Sequence, residues 1–337
     1  MNPRLSEQSI SSSSELDWRA WALLVGILAS TAALVAGLPL GVSIVAVFLF
    51  AGPHNWLEAR YFLGRLPARF GPLRGFFLAG LVGTVLLTAA FAAIPELARR
   101  FDLSDMAWIK SIADWNTALI LWIAGLAYWR SRTPPCRDWP WIWPIAWTLV
   151  AVNWLAPLSI NLALVYLHPL LALVFLDREL GRRRSPWRTA YRTALVALPL
   201  CLAAIAWAQY GAPPLPGDDV ISLQIQRHVG ADSLPSVSPR LLVAWHAYLE
   251  LLHYGVWVLA VPLVGVRTVP WNVANTPLGR RSFAWRGALT AFVVIGGAIM
   301  FALWGAFLVD YPLTRDIYFT VALLHVLAEA PLLLRAL

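Results

Sequence analysis

Five of the six histidines in this chain, His54, His168, His246, His253 and His325, fall inside long apolar runs. An ionisable group in such a run is costly and normally faces a buried functional site. Three of the five have a glutamate four residues later: His54 with Glu58, His246 with Glu250, and His325 with Glu329. The chain holds seven glutamates, so chance supplies only about 0.1 such pairs, and a four-residue step places both members on one helix face. Each glutamate can then bind a metal beside its histidine or hold the imidazole from behind. Glu250 and His253 also share the three-residue step by which di-iron bundles direct two ligands inward. At about 100° per residue, His246, Glu250 and His253 lie within about 60° of one another, one polar stripe on the run Arg240 to Val266. Neutral imidazole suits iron, zinc or copper, and a histidine-rich site supported by carboxylates suits non-haem Fe(II).

The elements that must position these residues are membrane helices. Of 337 residues, 59% are hydrophobic and 13% charged, with 19 Trp, against roughly 25% charged in soluble domains. The net charge of +8 comes almost wholly from arginines in short loops between apolar runs. That pattern reads as membrane topology and contact with anionic headgroups, and no nucleic-acid partner is expected. Cys136 and Cys201 lie in a loop and a span, so neither a disulfide framework nor a thiolate metal site is implied.

The expected fold is all-α: a polytopic integral membrane protein with about ten transmembrane helices, within a range of eight to ten. Residues 1–17 read as a disordered cytoplasmic tail, and 18–337 as one transmembrane domain. Spans are expected near 18–38, 39–58, 75–97, 113–130, 139–156, 158–177, 191–209, 240–265, 284–309 and 313–335. The segments 113–130 and 139–177 are the least secure. With both termini cytoplasmic, 20 of the 26 Lys and Arg fall on the inner side, as the positive-inside rule requires. The setting implied is a bacterial-type inner membrane.

The segment 58–74 reads as a short interfacial amphipathic piece, and 210–239 as an external surface flap with a solvated His228. Asp177 to Arg184 reads as a solvated inner boundary, and Asn116 and Asn161 as polar contacts between helices. Under this topology His168, His253 and His325 fall halfway along their spans, with His54 deeper. Side chains from four helices could thus converge in one layer, with His246 as a fifth ligand or lining the approach.

Three classes of function are compatible with these residues. A metal-dependent oxygenase predicts a sealed site facing lipid. A proton- or metal-ion-coupled transporter predicts a water-accessible path. An assembly factor without chemistry leaves the His–Glu regularity unexplained. Haem held by two histidines is a smaller possibility.

The same residues carry a family resemblance. The chain resembles the bacterial Brp/Blh-type membrane β-carotene 15,15′-dioxygenases in the order Gly52-Pro53-His54 with Glu58, Leu167-His168-Pro169, His246 and His253 before Tyr254 and Trp257, then Leu324-His325 with Glu329. It departs from that pattern in three ways. Asn55 follows the first histidine, Glu58 stands for an aspartate, and His246 and His253 are seven residues apart rather than four. The resemblance implies Fe(II), mononuclear rather than dinuclear, with O2 and a hydrophobic polyene as substrates and retinal as product. The dinuclear alternative is a membrane oxidase or desaturase, in which Glu58, Glu250 and Glu329 coordinate directly.

Overall fold

A computed structural model describes residues 17–67, 69–134, 137–264 and 273–336. The tail 1–16 and Cys136 lie outside the described residues. Among those described there is no strand, and the chain is an all-α polytopic membrane protein.

Eight helical stretches are long and apolar enough to cross a membrane. They comprise α1 (Trp18–Gly37), α2 (Pro39–Arg65), α3 (Arg74–Arg100), α6 (Leu158–Arg182), the pair α7 (Trp187–Ala194) and α8 (Ala197–Gln209), α10 (Pro239–Gly255) with its continuation, α12 (Phe283–Val309), and α13 (Tyr311–Ala336). The other two expected spans form α4 (Asp105–Arg132) and α5 (Ile142–Leu155). Charged residues at the start of α4, including a Lys110–Asp114 pair at 2.9 Å, dilute its apolar run. The 14 residues of α5 extend about 21 Å, short of the ~30 Å hydrocarbon layer. Whether both of these helices cross or neither does, the remaining eight keep the same relative directions.

Six helices close a ring in the order α13, α3, α4, α6, α10, α2 and back to α13. Helix α12 lies against α2 and α13, α1 and α8 against α10, and α5 against α4. Indole N–H groups join neighbours by donating to backbone carbonyls: Trp115 to Leu87 (2.8 Å), Trp122 to Ala79 (3.1 Å), Trp56 to Val293 (3.0 Å) and Trp245 to Leu202 (3.0 Å). Trp122 also needs Gly83, where any Cβ would collide with the indole. The tryptophans therefore do more than mark interfaces.

Helix α4 is held to α5 by buried amides. Asn116 Nδ2 donates to Asn153 Oδ1 (3.0 Å) and to Pro157 O (2.9 Å), while Asn153 Nδ2 donates to Ala113 O (2.8 Å). Asn116 is thus a contact between helices, as expected. Asn161 instead borders the central cavity with an unpaired Oδ1. A single interhelical hydrogen bond in a membrane averages ~0.6 kcal/mol. Asn153→Leu removes its bonds to Asn116 and Ala113 and leaves one Asn116 N–H unpaired, so it is expected to cost about 2 kcal/mol, read as lowered thermal stability in detergent.

Several local expectations are corrected. The helix of α2 runs through Glu58 to Arg65 rather than breaking into an interfacial piece. Glu179 is no solvated boundary residue: it is fully buried and accepts from Arg65 (2.5 Å), Tyr61 (3.1 Å), Arg182 (3.1 Å) and Arg183 (3.0 Å). Asp177 pairs with Arg188 and Arg192. The segment 210–239 is not a flap. It contains α9 (Val220–His228), capped by Asp219, which packs on α2, α10 and α13 and buries Ile225 and Val229 completely. Tyr166 fixes its end by donating to Val229 O at 3.1 Å.

Candidate metal centre

Helices α2, α6, α10 and α13 each bring one imidazole to the centre of the ring. The ring centroids of His54 lie 5.3 Å from both His253 and His325, and those of His168 lie 4.8 Å from His253 and 5.3 Å from His325. His54 is level with the others rather than deeper. It is mid-helix because α2 extends seven residues past Glu58, further than its apolar run shows.

Irregular backbone flanks each ligand position. Pro53 precedes His54, Pro169 follows His168, and Pro331 sits two residues past Glu329. Helix α10 instead passes into a π-helical turn over Val256–Ala260 before its last turn, Val261–Val264. Such turns inside helices are frequent at functional sites. This one seats the fully buried Trp257 beside His253 and against Tyr61, Phe62 and Phe175.

Two carboxylates complete the group. Donor atoms of His54, Glu58, His253 and His325 all lie within 4.8 Å of one another. At metal–nitrogen distances of about 2.1 Å the donors of one ion stand about 3–4.2 Å apart, so small side-chain rotations toward a common centre close the set. Glu329 faces Glu58 and its Oε2 lies 3.2 Å from His168 Nδ1, a contact whose alignment falls short of a hydrogen bond. His54 Nδ1 lies 2.8 Å from Phe50 O. If that nitrogen carries the proton and donates to the carbonyl, Nε2 keeps a free lone pair.

The fit to a cation rests on what these atoms lack. No nitrogen of His253 or His325 and no oxygen of Glu58 or Glu329 makes a well-aligned hydrogen bond, although the Pro169 and Ala322 backbones approach the two imidazoles and the two carboxyls face each other. Buried polar atoms are otherwise almost always paired, and buried carboxylates more strictly so. A cation would satisfy all of them at once, so these residues form a His/Glu group that could hold a metal ion.

His246 and Glu250 are not part of it, although both were expected near the metal. Helix α10 rises about 10 Å between His246 and His253, which places them in a second polar group. There Glu250 Oε1 accepts from Tyr254 (2.6 Å), and Glu250 Oε2 lies 3.8 Å from His246 Nδ1. His228 joins from α9, its ring 5.1 Å from His246 and 4.2 Å from Phe319. It is packed rather than solvated. Buried Arg315 lies over the Phe319 ring at 4.6 Å.

Burial, with the positive field of Arg315, pushes the His228 imidazole well below its usual 6.5. Folded His228 therefore stays neutral while the released chain takes up a proton below about 6.5. The contribution of this residue is fully present above that pH and is lost as pH falls. Protection factors for the Val220–Val229 amides, with the intrinsic pH dependence of exchange divided out, are accordingly expected to fall between pH 6.5 and 5, and His228→Phe to flatten that dependence.

One cavity of ≈ 370 Å³ connects the two groups. His54, His168, His253 and His325 line one part, and His228, His246 and Glu250 another. Its wall includes Phe91, Trp115, Tyr254 and Tyr318. Leu164, Val165, Leu323 and Val326, also lining it, are only partly buried, so the cavity is not sealed on that side.

Sequence reasoning missed Tyr318 and Arg315. Tyr318 precedes His325 by seven residues, the interval that separates His246 from His253, and that repeat was a usable signal. No family model, curated protein or solved structure matches the chain.

Proposed function

We propose that this protein is a membrane-embedded non-haem iron oxygenase acting on a lipid-soluble polyene, cleaving a carotenoid such as β-carotene to retinal. The reading places it in a bacterial-type inner membrane with both termini cytoplasmic. The observation that carries it is the convergence of four imidazoles from four helices, with unpaired nitrogens and two unpaired carboxylates, at one end of an aromatic-walled cavity. Histidine with carboxylate is a donor set suited to non-haem iron. The family resemblance in the order of the histidines points the same way.

Iron held there supplies the capacity to bind and activate O2. The chain does the rest. His54, His168, His253 and His325 would form the ligand face, with Glu58 beside them and Glu329 3.2 Å from His168. Phe91, Trp115 and Tyr254 present ring surfaces against which an extended polyene can lie, and the packed bundle excludes water from the reacting bond. Substrate enters from lipid past the partly buried lining residues Leu164, Val165, Leu323 and Val326.

The test is anaerobic loading with Fe(II), followed by β-carotene in mixed micelles and air. Retinal formed only with O2, two per β-carotene consumed, is the expected result. No O2-dependent aldehyde from a protein that retains its iron would contradict the reading.

One observation favours a second reading. Glu58 stands among the donor atoms and faces Glu329, so the six side chains could bridge two metals ~3.5–4 Å apart as in a di-metal oxidase. One iron per chain supports the first reading, and two support the second.

A further inference from the structure

Resting on the oxygenase reading, we propose that the His228–His246–Glu250 group binds a hydroxyl at one end of the substrate, so that the preferred polyene is an oxygenated one. A pure hydrocarbon needs no polar contact, yet this end of the cavity is furnished with three polar side chains. Glu250 is 5% exposed, and its Oε2 is buried, lines the cavity and accepts no hydrogen bond. The imidazoles of His228 and His246 line the same end. Each neutral imidazole offers one donor and one acceptor, and a carboxylate only accepts. A hydroxyl, which both donates and accepts, matches that set.

The group does not suit a charged ligand. Arg315 is buried against Phe319 within electrostatic range of Glu250 and both imidazoles. Its positive charge balances the carboxylate, leaving a site that is polar but near neutral overall. A carboxylate ligand would meet Glu250, and an ammonium would meet Arg315. The charge on Arg315 also disfavours a second metal ion here.

The arrangement sets a distance. His246 and His253 stand two turns apart on α10, about 10 Å along its axis, so a hydroxyl held at the first fixes which bond of the polyene lies at the metal group. A cavity of ≈ 370 Å³ lies toward the small end of ligand pockets. It encloses one terminus of a long polyene while the rest extends out past its partly buried lining.

Zeaxanthin and β-carotene, a hydroxylated polyene and its parent hydrocarbon, test this directly. Their binding to iron-loaded protein in detergent is followed by quenching of tryptophan emission, with iron content measured in the same samples. The expected result is about tenfold tighter binding of zeaxanthin, the value of one hydrogen bond to a buried charged group. His246→Phe should abolish that preference while iron content and β-carotene affinity hold. His228→Phe, on the capping helix α9, provides the second variant if the first fails to fold. Equal affinities in the wild type, or a preference that survives both substitutions, would overturn the inference alone. Failure of both polyenes to bind a protein that retains iron would overturn the polyene reading with it.

Discussion

Replacing His253 with alanine is expected to weaken iron binding by more than about 100-fold and to abolish O2-dependent polyene cleavage, with the bundle still folded. Loss of a group that merely supports a ligand already costs 10–100-fold in metal affinity, and His253 is placed as a ligand itself. Its ring lies within 4.8–6.4 Å of His168, His54 and His325, and neither of its nitrogens makes a well-aligned hydrogen bond to the protein. The same fact separates metal loss from unfolding. In metal-free protein the imidazole is a buried polar group without compensation, so its removal costs little and can even stabilise. Thermal unfolding of the metal-free forms should therefore be closely similar, and only the wild type should gain stability on adding Fe(II). A variant that binds iron as the wild type does would remove His253 from the site.

Glu179→Gln is expected to cost about 3 kcal/mol of stability without touching any proposed ligand. The Glu179 carboxylate accepts from Arg65 on α2 and from Arg182 and Arg183 at the end of α6, and Tyr61 donates to it as well. Removing one member of a buried ion pair costs 3–5 kcal/mol because the partner is left uncompensated. The arginines here are 27–50% exposed, and water recovers part of that loss, which sets the value at the lower end. The effect should reach the metal group as well. Tyr61 packs on Trp257, whose ring borders His253, so a loosened α2 carries His54 and Glu58 out of line. The check is a lowered melting temperature in detergent together with weaker Fe(II) affinity. Glu179→Leu at high salt should do no better, since the charge rather than the volume is missing.

The sequence reveals the helices and the layer of four histidines because both signals are local. Apolar runs near twenty residues mark spans, and i,i+4 pairing marks shared faces. What it does not reveal depends on contacts between distant segments. His246 and Glu250 have the same spacing and the same burial cues as His54 and Glu58, and it is the two-turn rise of α10 for His246, and the bond from Tyr254 for Glu250, that set them apart from the metal. His228 sits in a polar, Pro-rich stretch that reads as solvated, and it is the return of α9 onto α10 and α13 that buries it. Glu179 looks like an ordinary charge at a helix end until Arg65, 114 positions away, is known to meet it. Helix α4 shows the reverse limit, because charges at its start mask a continuous helix of 28 residues.

The most direct test of the account is iron K-edge X-ray absorption of the wild-type protein after anaerobic loading with Fe(II). The account predicts stoichiometric iron with nitrogen and oxygen donors at about 2.1 Å and outer-shell scattering from about four imidazoles, matching the four converging rings. Protein that retains no stoichiometric iron, or iron whose spectrum lacks imidazole scattering, would contradict it.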